Sequence, residues 1–111
     1  MLTVVETWQF ARLAERLFTD EERTRLIDYL SAHPDAGDEI VGSGGVRKLR
    51  FATGGKGKSG GARVIYFFYN ESAPLYLITC YAKNAKEDLS RAEISEYAKL
   101  SVAIKALYRR N

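Results

Sequence analysis

Between residues 46 and 86 stand eight basic side chains: Arg47, Lys48, Arg50, Lys56, Lys58, Arg63, Lys83 and Lys86. A single carboxylate, Glu71, opposes them. Like charges crowded this closely repel one another and cost stability unless an anion binds over them. A phosphate backbone is the natural guest, and RNA would bring its own nucleophile, the 2′-hydroxyl. Attack on the adjacent phosphate needs in-line positioning, removal of one proton and stabilisation of added negative charge. Arginine suits the last task, because its planar fork matches phosphate oxygens and stays protonated. A lysine crowded by cations has its charged form disfavoured, so it could serve as base or, protonated, as acid. Such a catalyst needs no metal, no cofactor and no histidine. It would be weak alone, and a large partner could supply the orientation.

Other chemistries are excluded by what is missing. A chain of 111 residues fits one domain, 1–111, and leaves no room for a kinase, a barrel enzyme or a paired dinucleotide and substrate domain. The composition, 46% hydrophobic and 28% charged, is that of an ordinary globular protein. Cys80 is the one cysteine, which rules out an internal disulfide and a cysteine zinc site, and it reads as core. His33 is the one histidine, so a paired-histidine nuclease is impossible within one chain. It reads as a solvated helix-end residue. The basic stretch lacks the clustered carboxylates of a two-metal nuclease. Gly55, Gly57 and Gly60 match G-x-G-x-x-G, but a strand follows where dinucleotide binding needs a helix. Ala52 stands where a Walker A motif needs its first glycine. What remains is a flexible cationic hairpin carrying Lys56 and Lys58, whose glycines let backbone amides approach an anion. No apolar run approaches the ~18 residues of a membrane span, and no secretory signal pattern opens the chain. The expected compartment is the cytoplasm.

The elements that must position these cations follow from periodicity. Residues 2–5 read as a short strand. Phe10, Leu13, Ala14, Leu17 and Phe18 form a helical stripe. Thr19 and Glu22 spell a capping box for a second helix that turns Leu26, Ile27, Tyr29 and Leu30 inward and stops at Pro34. Residues 35–45 read as loop. Strands are expected over 46–52, 63–69 and 75–83, the last two joined as a hairpin. Ser90 and Glu93 cap a final helix with Leu100, Ala103, Ile104, Leu107 and Tyr108 on one stripe. The order β-α-α-β-β-β-α implies an α+β fold: a helical hairpin on a small, mostly antiparallel twisted sheet, with a C-terminal helix. The helices are expected on one sheet face, the other staying partly open.

Period two then sorts the side chains. Lys48 and Arg50 share a face, as do Thr79, Tyr81 and Lys83, with Ile78 and Cys80 opposite. Arg63 opens the middle strand. Lys48, Arg50, Arg63, Tyr81 and Lys83 are therefore expected to converge on one open surface, overhung by Lys56 and Lys58. Tyr66, Tyr69 and Tyr76 read as packing residues. Tyr81 shares a face with Lys83, where an aromatic ring can stack an unpaired base. Asp20, Glu21 and Glu22 lie in a first helical turn and read as structural.

The run Gly44 to Arg50, the glycine–lysine loop, Gly61-Ala62-Arg63-Val64-Ile65-Tyr66 and Tyr81-Ala82-Lys83-Asn84 together resemble the RelE/ParE toxin superfamily, most nearly its HigB-type toxins. The likeness spans nearly the whole chain. It implies a RelE-like, microbial-RNase-like fold and a metal-independent endoribonuclease that cuts mRNA in the 30S A site of the ribosome, inhibiting translation. The 2′-hydroxyl attacks and a 2′,3′-cyclic phosphate is left. The resemblance assigns catalysis to Lys48, Arg50, Arg63 and Lys83, with Arg63 on the scissile phosphate, and contact with ribosomal RNA to Lys56 and Lys58; Tyr81 joins the catalytic candidates from its shared face, and Arg47 and Lys86 join the RNA-binding ones. Where some relatives carry a catalytic tyrosine, this chain reads Glu87-Asp88-Leu89, so the base is Tyr81 or a lysine. A helix-turn-helix antitoxin is the implied partner. A ParE-like DNA gyrase inhibitor, or a non-catalytic RNA-binding relative, is the alternative.

Overall fold

The computed structural model describes residues 2–54, 61–86 and 88–109. Eight elements follow one another: β1 (Val4–Glu6), α1 (Trp8–Leu17), α2 (Asp20–Ala32), β2 (Asp38–Glu39), β3 (Val46–Phe51), β4 (Ala62–Phe67), β5 (Leu75–Ala82) and α3 (Arg91–Tyr108). The strands form one sheet in the order β1-β5-β4-β3-β2. All neighbours are antiparallel except β1 and β5, which run parallel. The expected α+β architecture is the one found. The expected antiparallel meander is its centre, β3-β4-β5.

Local chemistry sets the helix boundaries. The Thr7 hydroxyl accepts from Phe10 N and starts α1. Thr19 with Glu22, and Ser90 with Glu93, form the two capping boxes expected from the sequence. Pro34 follows the end of α2, where His33 has left helical geometry.

The sheet is covered on both faces, not on one as the sequence reading expected. Against α1 and α2 lie Leu49, Ala62, Val64, Tyr66, Leu75, Leu77 and Cys80, packed on Phe10, Ala14, Phe18, Leu26 and Leu30. Against α3 lie Val46, Ile65, Phe67 and Ile78, packed on Tyr97 and Ile104. Burial from both sides explains why every residue of β4 is buried and why its sequence is so nearly apolar.

Several local expectations are corrected. Residues 35–45 contain the two-residue β2, paired Asp38 to Lys48 and Glu39 to Arg47. The first strand begins at Val4, not Leu2. Ile78 packs on the α3 side, because a register irregularity at Ile65/Tyr66 inserts an extra residue in β5 and breaks the alternation. Tyr29 is exposed and lies beside the His33 ring. The buried stripe of α3 is Tyr97, Ser101 and Ile104, while Ala103 and Leu107 face outward. Ser101 belongs inside because its hydroxyl donates to Ser43 O, docking α3 on the turn before β3.

Tyr66 ties this core to the chain leaving α2. Its ring is fully buried, and its hydroxyl accepts from Gly37 N and donates to Pro34 O, both at 2.8 Å. Tyr66→Phe would leave both backbone groups without that partner. It is expected to cost about 1–3 kcal/mol, read in urea unfolding as a lower midpoint with an unchanged slope.

Candidate nucleic-acid interface

The register of β3, β4 and β5 builds the site. Residues directly opposite on antiparallel strands share a face, with Cβ atoms roughly 4.5–5.5 Å apart. On the α3 side three rungs follow in order. The first is Val46, Phe67 and Tyr76; the second is Lys48, Ile65 and Thr79; the third is Arg50, Arg63 and Tyr81. α3 covers the apolar end through Val46 and Phe67. The polar end carries the cations.

Four of the sequence-predicted residues thus meet on one face: Lys48, Arg50, Arg63 and Tyr81. Arg50 and Arg63 stand directly opposite each other, an arrangement that is destabilising for like charges. Arg50 is exposed, whereas Arg63 is only 8% exposed, with its Nη1 3.4 Å from the Ala62 carbonyl oxygen. Lys83 follows the last residue of β5, and its amide donates to Gly61 O, continuing the ladder. The alternation keeps it on the Tyr81 side. Gly61 itself has φ +71°, and a Cβ there would lie 2.6 Å from Phe51 O, so only glycine lets β4 start this close to β3.

Two predicted residues are placed differently. Arg47 points to the α1/α2 side. It donates to Gly37 O at 2.6 Å and Asp35 O at 3.2 Å and pairs with Glu39, bracing the segment before β2. It is not part of the cationic face. Lys86 lies in the connection between β5 and α3, paired with Glu93, its ammonium 5.5 Å from the centre of the Tyr81 ring. Lys56 and Lys58 lie outside the described residues. An open concavity of about 620 Å³ lies at the other end of the sheet, by Phe67, Lys105 and Arg47. None of the Arg50–Arg63–Tyr81 rung lines it, so this hollow and the cationic face are separate.

Protonation states narrow the roles. Burial pushes the Tyr81 hydroxyl above its ordinary value, the Asp88 charge adds to this, and Arg63 opposes it. The hydroxyl is buried without a hydrogen-bond partner among the described residues. Tyr81 is therefore a neutral donor at physiological pH, not a tyrosinate base. Cys80, also buried, has its thiol pushed up to about 12 by burial, which makes it an inert core residue as expected. His33 is exposed, capping the end of α2.

Two contacts went unnoticed in the sequence. Asp88 reaches back to Lys48, Oδ1 to Nζ 3.4 Å. The Leu89 amide, and Lys48 beyond it, hold its carboxyl below the usual range. The crowding of Lys48 by cations alone is thus relieved by a carboxylate. Glu22, read as a helix-capping residue, does cap. It also accepts from Gly54 N at 2.9 Å, fastening the end of the segment after β3 to α2. Neither contact has a spacing signal, since 40 and 32 residues separate the partners.

The site thus sits on an α+β sheet with helices on both faces and a basic rung at one end. Residues 3–111 match the family described as RelE toxin of RelE / RelB toxin-antitoxin system. The chain belongs to the RelE toxin family and is a toxin of a toxin–antitoxin system, which implies an antitoxin partner. No helix among the described residues is long and apolar enough to cross a membrane.

An ultraviolet titration of tyrosinate formation, compared between the wild type and Tyr81→Phe, checks the donor assignment. The step missing from the variant is expected above pH 10, the unperturbed value. A missing step at or below it would return Tyr81 to the list of bases.

Proposed function

We propose that this toxin is a metal-independent, ribosome-dependent mRNA endonuclease. The observation that carries the proposal is the rung in which Arg50 and Arg63 face each other beside Tyr81. The pairing sets two guanidinium-bearing side chains on one rung, and a phosphodiester offers oxygens to both. Family membership supports the same reading.

In this reading Arg63 grips the non-bridging oxygens of the scissile phosphate, and Arg50 completes the grip from the solvent side. The 2′-oxygen loses its proton and attacks phosphorus. The 5′-oxygen leaves with a proton, and a 2′,3′-cyclic phosphate remains. Charge on the phosphorane grows during this step, so donors already fixed by the sheet stabilise it without reorganising. The neutral Tyr81 hydroxyl suits donation, either to the phosphate or to the leaving oxygen, once the side chains above it move aside. The proton acceptor is then Lys83, because Lys48 donates to an anion in this reading. Nothing in the small site bends RNA into line, and the ribosomal A site provides that orientation. Lys56 and Lys58 contact ribosomal RNA, and Lys86 contributes at the margin. The toxin acts in the cytoplasm, as a HigB-type member whose partner is a helix-turn-helix antitoxin.

Expression of the chain followed by mapping of 5′ ends of cellular mRNA tests the proposal. Cuts phased with codons are expected. Intact mRNA with DNA damage would instead indicate gyrase as the target. Arg63→Ala is expected to abolish toxicity with the thermal unfolding midpoint retained, since loss of one such donor lowers a rate by about 10²–10³-fold. Full toxicity of that variant at equal expression would contradict the assignment.

A further inference from the structure

Among the described residues, the cationic face receives a carboxylate that phosphate binding does not call for. Asp88 stands in the 83–90 connection, its side chain 69% exposed, yet it reaches back across the sheet to Lys48. The Leu89 amide donates to the same Oδ1 at 2.9 Å and fixes the carboxylate in place. Its charge is felt at the Tyr81 hydroxyl, on the next rung. A carboxylate oxygen held by a lysine is a close chemical relative of a non-bridging phosphate oxygen, both being anionic acceptors of a charge-assisted hydrogen bond. The neighbouring Lys86 is turned to Glu93 at the start of α3 and does not compete for Asp88.

We infer that Asp88 is an internal competitor for the anion site: in the free toxin its carboxylate occupies the place beside Lys48 that an RNA phosphate takes on binding. The inference rests on the reading that this face grips RNA phosphate. An exposed ion pair is cheaply opened, so Asp88 does not block the site. It weakens every encounter that offers phosphate contacts alone, because the released carboxylate repels the incoming charge. Binding that draws further contacts from a large partner overcomes it. Specificity then comes from a repulsive element inside the toxin as well as from attraction.

The test uses the full chain and a single-stranded RNA made uncleavable by 2′-deoxy substitution, with binding read by fluorescence anisotropy over a salt series. Asp88→Asn keeps an oxygen for the Leu89 amide and removes the charge. It is expected to bind severalfold more tightly at low salt. The slope of log affinity against log salt should steepen by up to about 0.7, one released counterion on a single strand. In a Lys48→Met background the same change should bring a clearly smaller gain. Asp88→Ser, which also offers an acceptor oxygen, serves as the second variant, and thermal unfolding checks both. Binding equal to or weaker than wild type in both folded variants overturns the inference, as does an undiminished gain without Lys48. Cleavage on programmed ribosomes separates the two readings. Loss of cleavage in Asp88→Asn with unchanged affinity would make Asp88 part of the chemistry and overturn the competitor role. A binding gain with no cleavage even by wild type would leave the competitor standing and remove the nuclease.

Discussion

Two arginines set face to face across adjacent strands are the constraint on which the site depends. Arg50 and Arg63 share one rung, and neither can leave it without shifting a strand whose opposite face is packed. A one-residue slip would exchange Arg63 for Val64 or Ala62 and drive charge into the core beneath α1 and α2. The hydrophobic pattern of β4 therefore fixes the chemistry of its one charged residue. Folding and function are specified by the same alternation.

The remaining structure manages the consequences of that rung. α3 covers the apolar end of the face, and Tyr81 of the cationic rung packs against the same cluster. The connection leading into it returns two side chains to the site, Asp88 to Lys48 and Lys86 over Tyr81. Lys86 is bound in turn by Glu93, which also caps α3. Charges placed by the sheet and charges placed by the helix start are thus linked through one short segment. From the other side, Glu22 joins the beginning of α2 to the end of β3. A buried carboxylate in that position serves both the helix and the approach to the cationic loop.

Much of this was legible in the sequence, for identifiable reasons. The spacing of Lys48 and Arg50 and the apolar run around Arg63 carried the pleat, so their common face followed from period two. The same rule already set Arg47 apart from Lys48, and its placement with Asp35, Gly37 and Glu39 agrees with that signal. Ile78 was misplaced because an irregularity between Ile65 and Tyr66 depends on how two strands pair, and neither strand shows it alone. On α3 the expected Leu100, Ile104 and Tyr108 do pack on the core, but Ser101 was missed because it is polar by type, yet its hydroxyl is satisfied by Ser43 and Ala98 carbonyls inside the core. The coverage of both sheet faces was missed because a helix with apolar residues around most of its circumference does not reveal which sheet face it will take. Asp88 was invisible as a partner of Lys48 because chain distance hides what the fold brings together.

The most direct measurement is a titration of the isotope-labelled toxin with short, uncleavable single-stranded RNA, followed by nuclear magnetic resonance of backbone amides and arginine side chains. The account predicts that shifts concentrate on Lys48, Arg50, Arg63, Tyr81 and the 83–90 connection, while Arg47, Lys105 and the turn at 42–45 stay put. Shifts gathered around Arg47 and Lys105 instead, with the Arg50 and Arg63 side chains unmoved, would contradict it.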